Sequence, residues 1–192
     1  MEKGNSMLKS LLPRKWPVGL VAGSFLGISP VLAASDDPYT LSIQSQDRVT
    51  SNQYHVDELR SEFENVILET RTPWTKNEQV INYRGPRIAD VLRQNGLASG
   101  NSVHFVAYDN FTSEVTLDEI ETFQPIFAID RACVEKDVQA GRCGVGQQFT
   151  PLSPEEQGPI FLVWPYDQLP AAYVPARNSI WVWFVVAVRP AT

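Results

Sequence analysis

The sequence predicts an α+β fold built on a mixed β-sheet with short helices. Strand-prone runs dominate, the helical stretches are short, and strands and helices do not alternate as they would around a parallel sheet. No internal repeat is present.

After a polar lead-in at Ser35-Asp36-Asp37-Pro38, Tyr39-Thr40-Leu41-Ser42-Ile43-Gln44 alternates with the period of a strand. His55-Val56-Asp57-Glu58-Leu59 reads as a short helical turn. Asn65-Val66-Ile67-Leu68-Glu69-Thr70-Arg71 is β-rich and stops at Thr72-Pro73-Trp74-Thr75, where Pro73 breaks regular structure and a functional loop can begin. Ile81-Asn82-Tyr83-Arg84 predicts a strand. Residues 85–96 predict a complete helix: Pro86 opens its first turn, Ile88, Val91 and Leu92 share a face, and Gly96 closes it. This helix is expected to pack on a sheet.

Ser102-Val103-His104-Phe105-Val106-Ala107-Tyr108 is a strand, and Asp109-Asn110-Phe111-Thr112 is turn chemistry leading to a second strand through Glu114-Val115-Thr116. Leu117-Asp118-Glu119-Ile120 starts a short helix, and Ile126-Phe127-Ala128-Ile129 returns to strand. Residues 130–156 lack a clear period and read as one long excursion, a candidate lid or docking surface. Gly158-Pro159-Ile160-Phe161-Leu162-Val163-Trp164-Pro165-Tyr166-Asp167 is a buried strand bounded by prolines. Residues 180–188, Ile180-Trp181-Val182-Trp183-Phe184-Val185-Val186-Ala187-Val188, are the most strand-prone run of all.

The net charge of −6 divides unevenly: Lys3, Lys9, Arg14 and Lys15 against Glu2 give residues 1–33 a charge of +3 and leave −9 on the other 159. An acidic body without a basic stripe argues against nucleic acid, whose binders draw most of their affinity from clustered Lys and Arg. The basic start precedes a short apolar run, Trp16 to Ile28, and then Val31-Leu32-Ala33-Ala34. This is the pattern of a secretory signal cleaved before Ala34, so residues 1–33 are expected to be a signal peptide and 34–192 a single exported, periplasmic domain. The run is interrupted by Gly, Ser and Pro and falls short of the ~20 apolar residues of a spanning helix. Both cysteines, Cys133 and Cys143, lie in the mature part, and in an oxidising compartment they read as a disulfide pinching off a loop.

Familiar catalytic patterns are missing: no P-loop, Gly-x-Ser-x-Gly elbow, His-Glu-x-x-His or dinucleotide glycine fingerprint occurs. His55 reads as a surface turn residue and His104 as a strand residue. Aromatic and polar residues instead gather where strands end: Trp74 after a proline break, Tyr108-Asp109-Asn110-Phe111 after a strand, Trp164-Pro165-Tyr166-Asp167 after another, and Arg177-Asn178-Ser179 before Trp181. A planar heteroaromatic ligand needs this mixture, an aromatic face to stack on and carboxylate or amide groups for the ring edge. Trp164, Trp181 and Trp183, in apolar runs, also read as core; Trp74, in a polar loop, fits either role.

Five segments in order resemble a known family: Thr72-Pro73-Trp74-Thr75; Tyr83-Arg84-Gly85-Pro86-Arg87-Ile88-Ala89-Asp90-Val91-Leu92; Val106-Ala107-Tyr108-Asp109-Asn110-Phe111; Gly158 through Asp167; and Asn178-Ser179-Ile180-Trp181. Together, over residues 39–189, they resemble the small exported members of the oxidoreductase molybdopterin-binding family, with the sulfite-oxidase-like fold. Catalytic members place a molybdenum-ligating cysteine before the Gly-Pro helix, whereas this chain has Arg71-Thr72-Pro73-Trp74 there. Cys133-Val134-Glu135 falls after that helix instead. Family members commonly read Asn-Asp where this chain reads Asp109-Asn110.

Short members without the cysteine look like periplasmic pterin-binding proteins. The resemblance therefore implies a non-catalytic protein that binds a reduced, metal-free pterin and reports to a membrane-bound diguanylate cyclase or phosphodiesterase of cyclic-di-GMP signalling. The implied ligand-binding residues are Trp74, Tyr108, Asp109, Asn110, Arg177, Asn178, Ser179 and Trp181, with Trp74 or Trp181 stacking on the ring. The alternatives are an oxidoreductase, or a subunit of one, that uses molybdopterin, and an interaction module with a vestigial pocket.

Overall fold

The computed structural model describes residues 37–76 and 79–191, and the expected signal peptide lies outside them. β1 (Thr40–Gln44) and β2 (Thr50–His55) form an antiparallel pair, and β1 lies parallel to β11 (Val185–Pro190), with Ser42 opposite Ala187. β5 (Ser102–Ala107) and β6 (Thr112–Thr116) continue antiparallel, which gives a mixed five-stranded sheet in the order β2-β1-β11-β5-β6. The central strand β11 and its two neighbours carry the buried apolar side chains: Val185 and Val188 of β11, Leu41 and Ile43 of β1 and Phe105 of β5 are fully buried.

An antiparallel four-stranded sheet takes β3 (Asn65–Thr70), β4 (Ile81–Pro86), β8 (Asp130–Ala132) and β9 (Phe149–Pro151). A two-stranded piece pairs β7 (Ile126–Ala128) with β10 (Phe161–Val163). The largest fully buried side chains, Trp164, Phe105, Phe127 and Phe161, fill the core. Edge-to-face pairs between Phe105 and Phe127 at 5.8 Å and between Tyr83 and Phe161 at 5.9 Å order that packing.

The helices are short, and two of them are closed by capping boxes. In α1 (Val56–Glu62), His55 serves as N-cap: the Asp57 N–H donates to its Nδ1 at 3.3 Å, and its own N–H donates to the Glu58 carboxylate at 2.7 Å. In α3 (Leu117–Phe123), the Glu119 N–H donates to Thr116 Oγ1 while the Thr116 N–H donates back to the Glu119 carboxylate. α2 (Ile88–Gln94) buries Ile88, Ala89, Val91 and Leu92, the face expected from their spacing. It begins later than residues 85–96 predict, because Gly85 and Pro86 belong to β4. Gly85 is required in that strand, since a Cβ there would lie 1.8 Å from the Phe127 carbonyl oxygen.

Two further expectations are corrected. Residues 130–156 hold β8, α4 (Glu135–Gln139) and β9, so the excursion completes a sheet. Its order comes from long-range pairing and the Cys133–Cys143 disulfide, neither of which leaves a periodic pattern. The run at 180–188 is strand only from Val185. Before that, Asn178–Ile180 form a 3₁₀ turn and Phe184 takes φ +50°. Propensity there reflected apolar bulk, which the chain uses to build a wall instead of a ladder.

Burial pushes the Tyr83 phenol from 10.0 up to about 12. Its neutral form therefore contributes stability that is intact below pH 10 and is lost as pH rises toward 12. Urea midpoints of the wild type should fall relative to Tyr83→Phe across that window, and parallel profiles would refute the assignment.

Candidate functional site

Three loops converge at the end of the five-stranded sheet where β5 stops and β11 starts. The first joins β5 to β6. Its backbone is closed by the Ala107 N–H donating to Phe111 O at 2.8 Å and the Asn110 N–H donating to Ala107 O at 2.9 Å. The Asp109 carboxylate accepts the Phe111 N–H at 2.9 Å, and Asn110 turns the corner at φ +68°, a left-handed conformation that asparagine tolerates. This leaves the Tyr108 and Phe111 rings exposed.

The second loop, residues 178–184, is anchored from beneath. Trp164 Nε1–H donates to Ile180 O at 2.9 Å, and the Leu162 N–H donates to Val182 O at 2.9 Å. The Tyr108 N–H donates to Phe184 O at 2.9 Å and ties the first loop to the second. Phe184 holds its positive φ with its ring pressed on Gly158, where any Cβ would come within 2.6 Å of that ring. Left-handed backbone at a bulky aromatic is strained, and such strain collects at binding sites.

The third loop follows β3. The Thr72 N–H donates to Thr75 Oγ1 at 2.9 Å and the Thr75 N–H to Thr72 O at 3.0 Å, a tight turn around Pro73 that presents Trp74. The Trp74 ring meets Trp183 edge to face, with centres 4.9 Å apart.

Together these loops line an open cavity of about 660 Å³, within the ~300–1,000 Å³ usual for small-molecule sites. Its walls are Trp74, Tyr108, Phe111, Trp181, Trp183 and Phe184, with Ala107 and Val182 between them, and its polar groups are Asp109, Asn178 and Ser179. Two polar atoms of lining residues, Trp181 Nε1 and Asn178 Oδ1, are buried without a hydrogen-bond partner. A buried donor or acceptor left unpaired costs ~1–3 kcal/mol, so a ligand or ordered water that satisfied either would gain from it.

Six of the residues expected from the sequence, Trp74, Tyr108, Asp109, Asn178, Ser179 and Trp181, line this one cavity. Asn110 and Arg177 are not in the lining. Asn110 is taken by the turn, and Arg177 donates from Nη1 and Nη2 to the Glu119 carboxylate while its guanidinium lies 4.9 Å over the Tyr173 ring. Glu119 also accepts the Tyr173 hydroxyl at 2.7 Å. Desolvation works to raise the Glu119 carboxyl, but hydrogen bonds from Tyr173, Thr116 and Arg177 overcome it and hold the group below its ordinary range.

Trp183 was expected in the core and is instead 39% exposed at the cavity. It and Phe184, Val182 and Ala107 are lining residues outside the expected ligand set, as is Phe111, which the sequence placed in the strand-end cluster but not among the binding residues. One signal was available: Trp181-Val182-Trp183-Phe184 carries more aromatic area than one inward face of a strand can bury.

Among the described residues, no three His, Cys, Asp or Glu side chains are placed to hold a metal ion. A molybdenum-bearing pterin calls for a soft thiolate ligand and for cations near its phosphate. The lining fits neither requirement: both cysteines are joined to each other outside the cavity, and the lining holds one carboxylate, Asp109, and no lysine, arginine or histidine. Among the described residues no helix is long and apolar enough to cross a membrane. No protein-family model matches the chain, and no curated protein matches it.

Proposed function

We propose that this protein binds a flat heteroaromatic of the pterin class, reduced and metal-free, in the cavity at the end of the five-stranded sheet. The observation that carries the reading is the joining, in one cavity, of tryptophan and tyrosine rings with the polar residues Asp109, Asn178 and Ser179. A pterin presents a flat ring and an edge of alternating donors and acceptors, and it requires both kinds of surface. The disulfide and the resemblance in motif order support an exported binding protein of the sulfite-oxidase-like fold, one that reports ligand state to a membrane-bound cyclic-di-GMP enzyme. Nothing in the lining favours the alternative of a molybdopterin oxidoreductase.

Titration with 7,8-dihydroneopterin, followed by tryptophan fluorescence, tests the reading. Saturable quenching is expected, and Trp74→Ala should weaken binding about tenfold in a protein that urea unfolding shows is still folded. Tenfold corresponds to about 1.4 kcal/mol, the upper range of an aromatic stacking contribution. No binding by the wild type would overturn the proposal, and an unchanged affinity in Trp74→Ala would remove that ring from the site.

A further inference from the structure

Resting on the pterin reading, we propose that the cavity selects its ligand by charge: it accepts the uncharged heteroaromatic and rejects phosphate esters of it. Asp109 is the residue that sets this specificity, and Glu119 keeps Arg177 from relaxing it.

A phosphate monoester carries a charge of about −1.5 to −2 near neutral pH and demands donors that match it, usually arginine, lysine or a nest of backbone N–H groups. The cavity supplies the opposite. Asp109 is its one charged lining residue, and only one of its carboxylate oxygens is engaged by the Phe111 N–H at 2.9 Å. The rest of the wall is largely aromatic, which cannot replace the water that a phosphate would lose on entry.

Arg177 directly precedes the lining residues Asn178 and Ser179, so it is a cation close in the chain to where a phosphate would need an answer, while Arg71, before the third loop, is paired with Asp167 at 3.0 Å. The Arg177 fork is already occupied. Both terminal nitrogens donate to Glu119, a residue only 7% exposed, and Tyr173 flanks the pair by giving its hydroxyl to the same carboxylate and its ring face to the guanidinium. Turning Arg177 into the cavity would strand a largely buried carboxylate, which the fold strongly resists. Lys76, two residues past Trp74, is exposed and outside the lining, where solvent screens its charge. The chain thus keeps a cation beside the site and neutralises it internally.

The test compares 7,8-dihydroneopterin with its monophosphate ester on the wild type, Asp109→Asn and Glu119→Gln, with urea midpoints confirming that each variant is folded. The readout is the ratio of the two dissociation constants. On the wild type at low ionic strength the phosphate ester should bind at least tenfold more weakly. The ratio should fall at least threefold in Asp109→Asn and, as Arg177 is released, at least threefold in Glu119→Gln. Added salt should also shrink it, since exposed charges are screened. Equal affinities on the wild type would overturn the charge filter and leave pterin binding intact. A ratio that moves with neither substitution nor with salt would mark simple steric exclusion and overturn it too. Failure of both ligands to bind would bring down the filter together with the pterin reading beneath it.

Discussion

Gly85→Ala should cost about 3 kcal/mol or more of stability, the upper end of what overpacking a well-filled interior does. A Cβ at this position would stand 1.8 Å from the Phe127 carbonyl oxygen, 2.8 Å from its carbonyl carbon and 3.2 Å from the Ala128 Cα. All three are backbone atoms, so no side chain can rotate away. Phe127 and Ala128 are fully buried in β7 and paired to β10, and the Ile129 N–H donates to Arg84 O at 3.0 Å right beside the contact. Relief therefore requires β4 and β7 to move apart, which loosens the core around Phe105, Phe127 and Tyr83. Gly144→Ala is the control, because its Cβ would meet nothing closer than the Gln147 side chain at 3.6 Å. Urea unfolding of the two variants checks the prediction, and equal midpoints would refute it.

Gly85 also marks where sequence reasoning reached its limit. The dipeptide Gly85-Pro86 carries a strong helix-start signal, and α2 does begin beyond it with the expected buried face of Ile88, Val91 and Leu92. What displaced the start was a neighbour 42 positions later in the chain, and no local pattern records such an approach. Elements built on local chemistry were legible: the β5–β6 turn at Asp109-Asn110, α1 after β2, and α3 at Leu117. Those built on distant pairing were not, above all β8 and β9, short strands whose reason to exist is the four-stranded sheet they complete.

The candidate site divides along the same line. Turn residues and aromatics at strand ends pointed to Trp74, Tyr108, Asp109, Asn178, Ser179 and Trp181 because residue type and position together constrain what they can do. Arg177 has the right type and a neighbouring position, yet a partner 58 residues away, Glu119, decides its role. For Trp183, apolar neighbours suggested core, but the kink at Phe184 carries the chain off the strand path and puts the indole against Trp74.

Asp137→Asn should be the second severe lesion, at about 3–5 kcal/mol, the range for breaking a buried ion pair by removing one partner. Asp137 is fully buried and accepts from both terminal nitrogens of Arg131 at 2.6 and 2.9 Å, from Arg142 at 2.7 and 3.0 Å, and from the Val134 N–H at 3.0 Å. The Arg131 hydrogen bonds above all hold its carboxyl far below the usual carboxylate range. An amide keeps the shape but removes the charge and turns one acceptor into a donor facing guanidinium groups. Arg131 retains Glu156 and Arg142 is half in solvent, so the lower part of the range applies if that network relaxes.

The sign with pH follows from the depressed carboxyl: its contribution is present above the ordinary carboxylate pKa of ~4 and is lost as pH falls below it. The gap in urea midpoint between wild type and Asp137→Asn should thus be widest near neutrality and close progressively in acid. A gap independent of pH would show that shape, not charge, carries the effect. Asp137 lies inside the loop closed by Cys133 and Cys143, ten residues apart, so reduction of the disulfide and loss of the carboxylate act on one segment and should not add. None of residues 130–156 lines the cavity, which speaks against the lid, one of the two roles the sequence suggested for this stretch. Dihydroneopterin affinity measured on folded Asp137→Asn should accordingly match the wild type, and a tenfold loss would tie this distant network to the site.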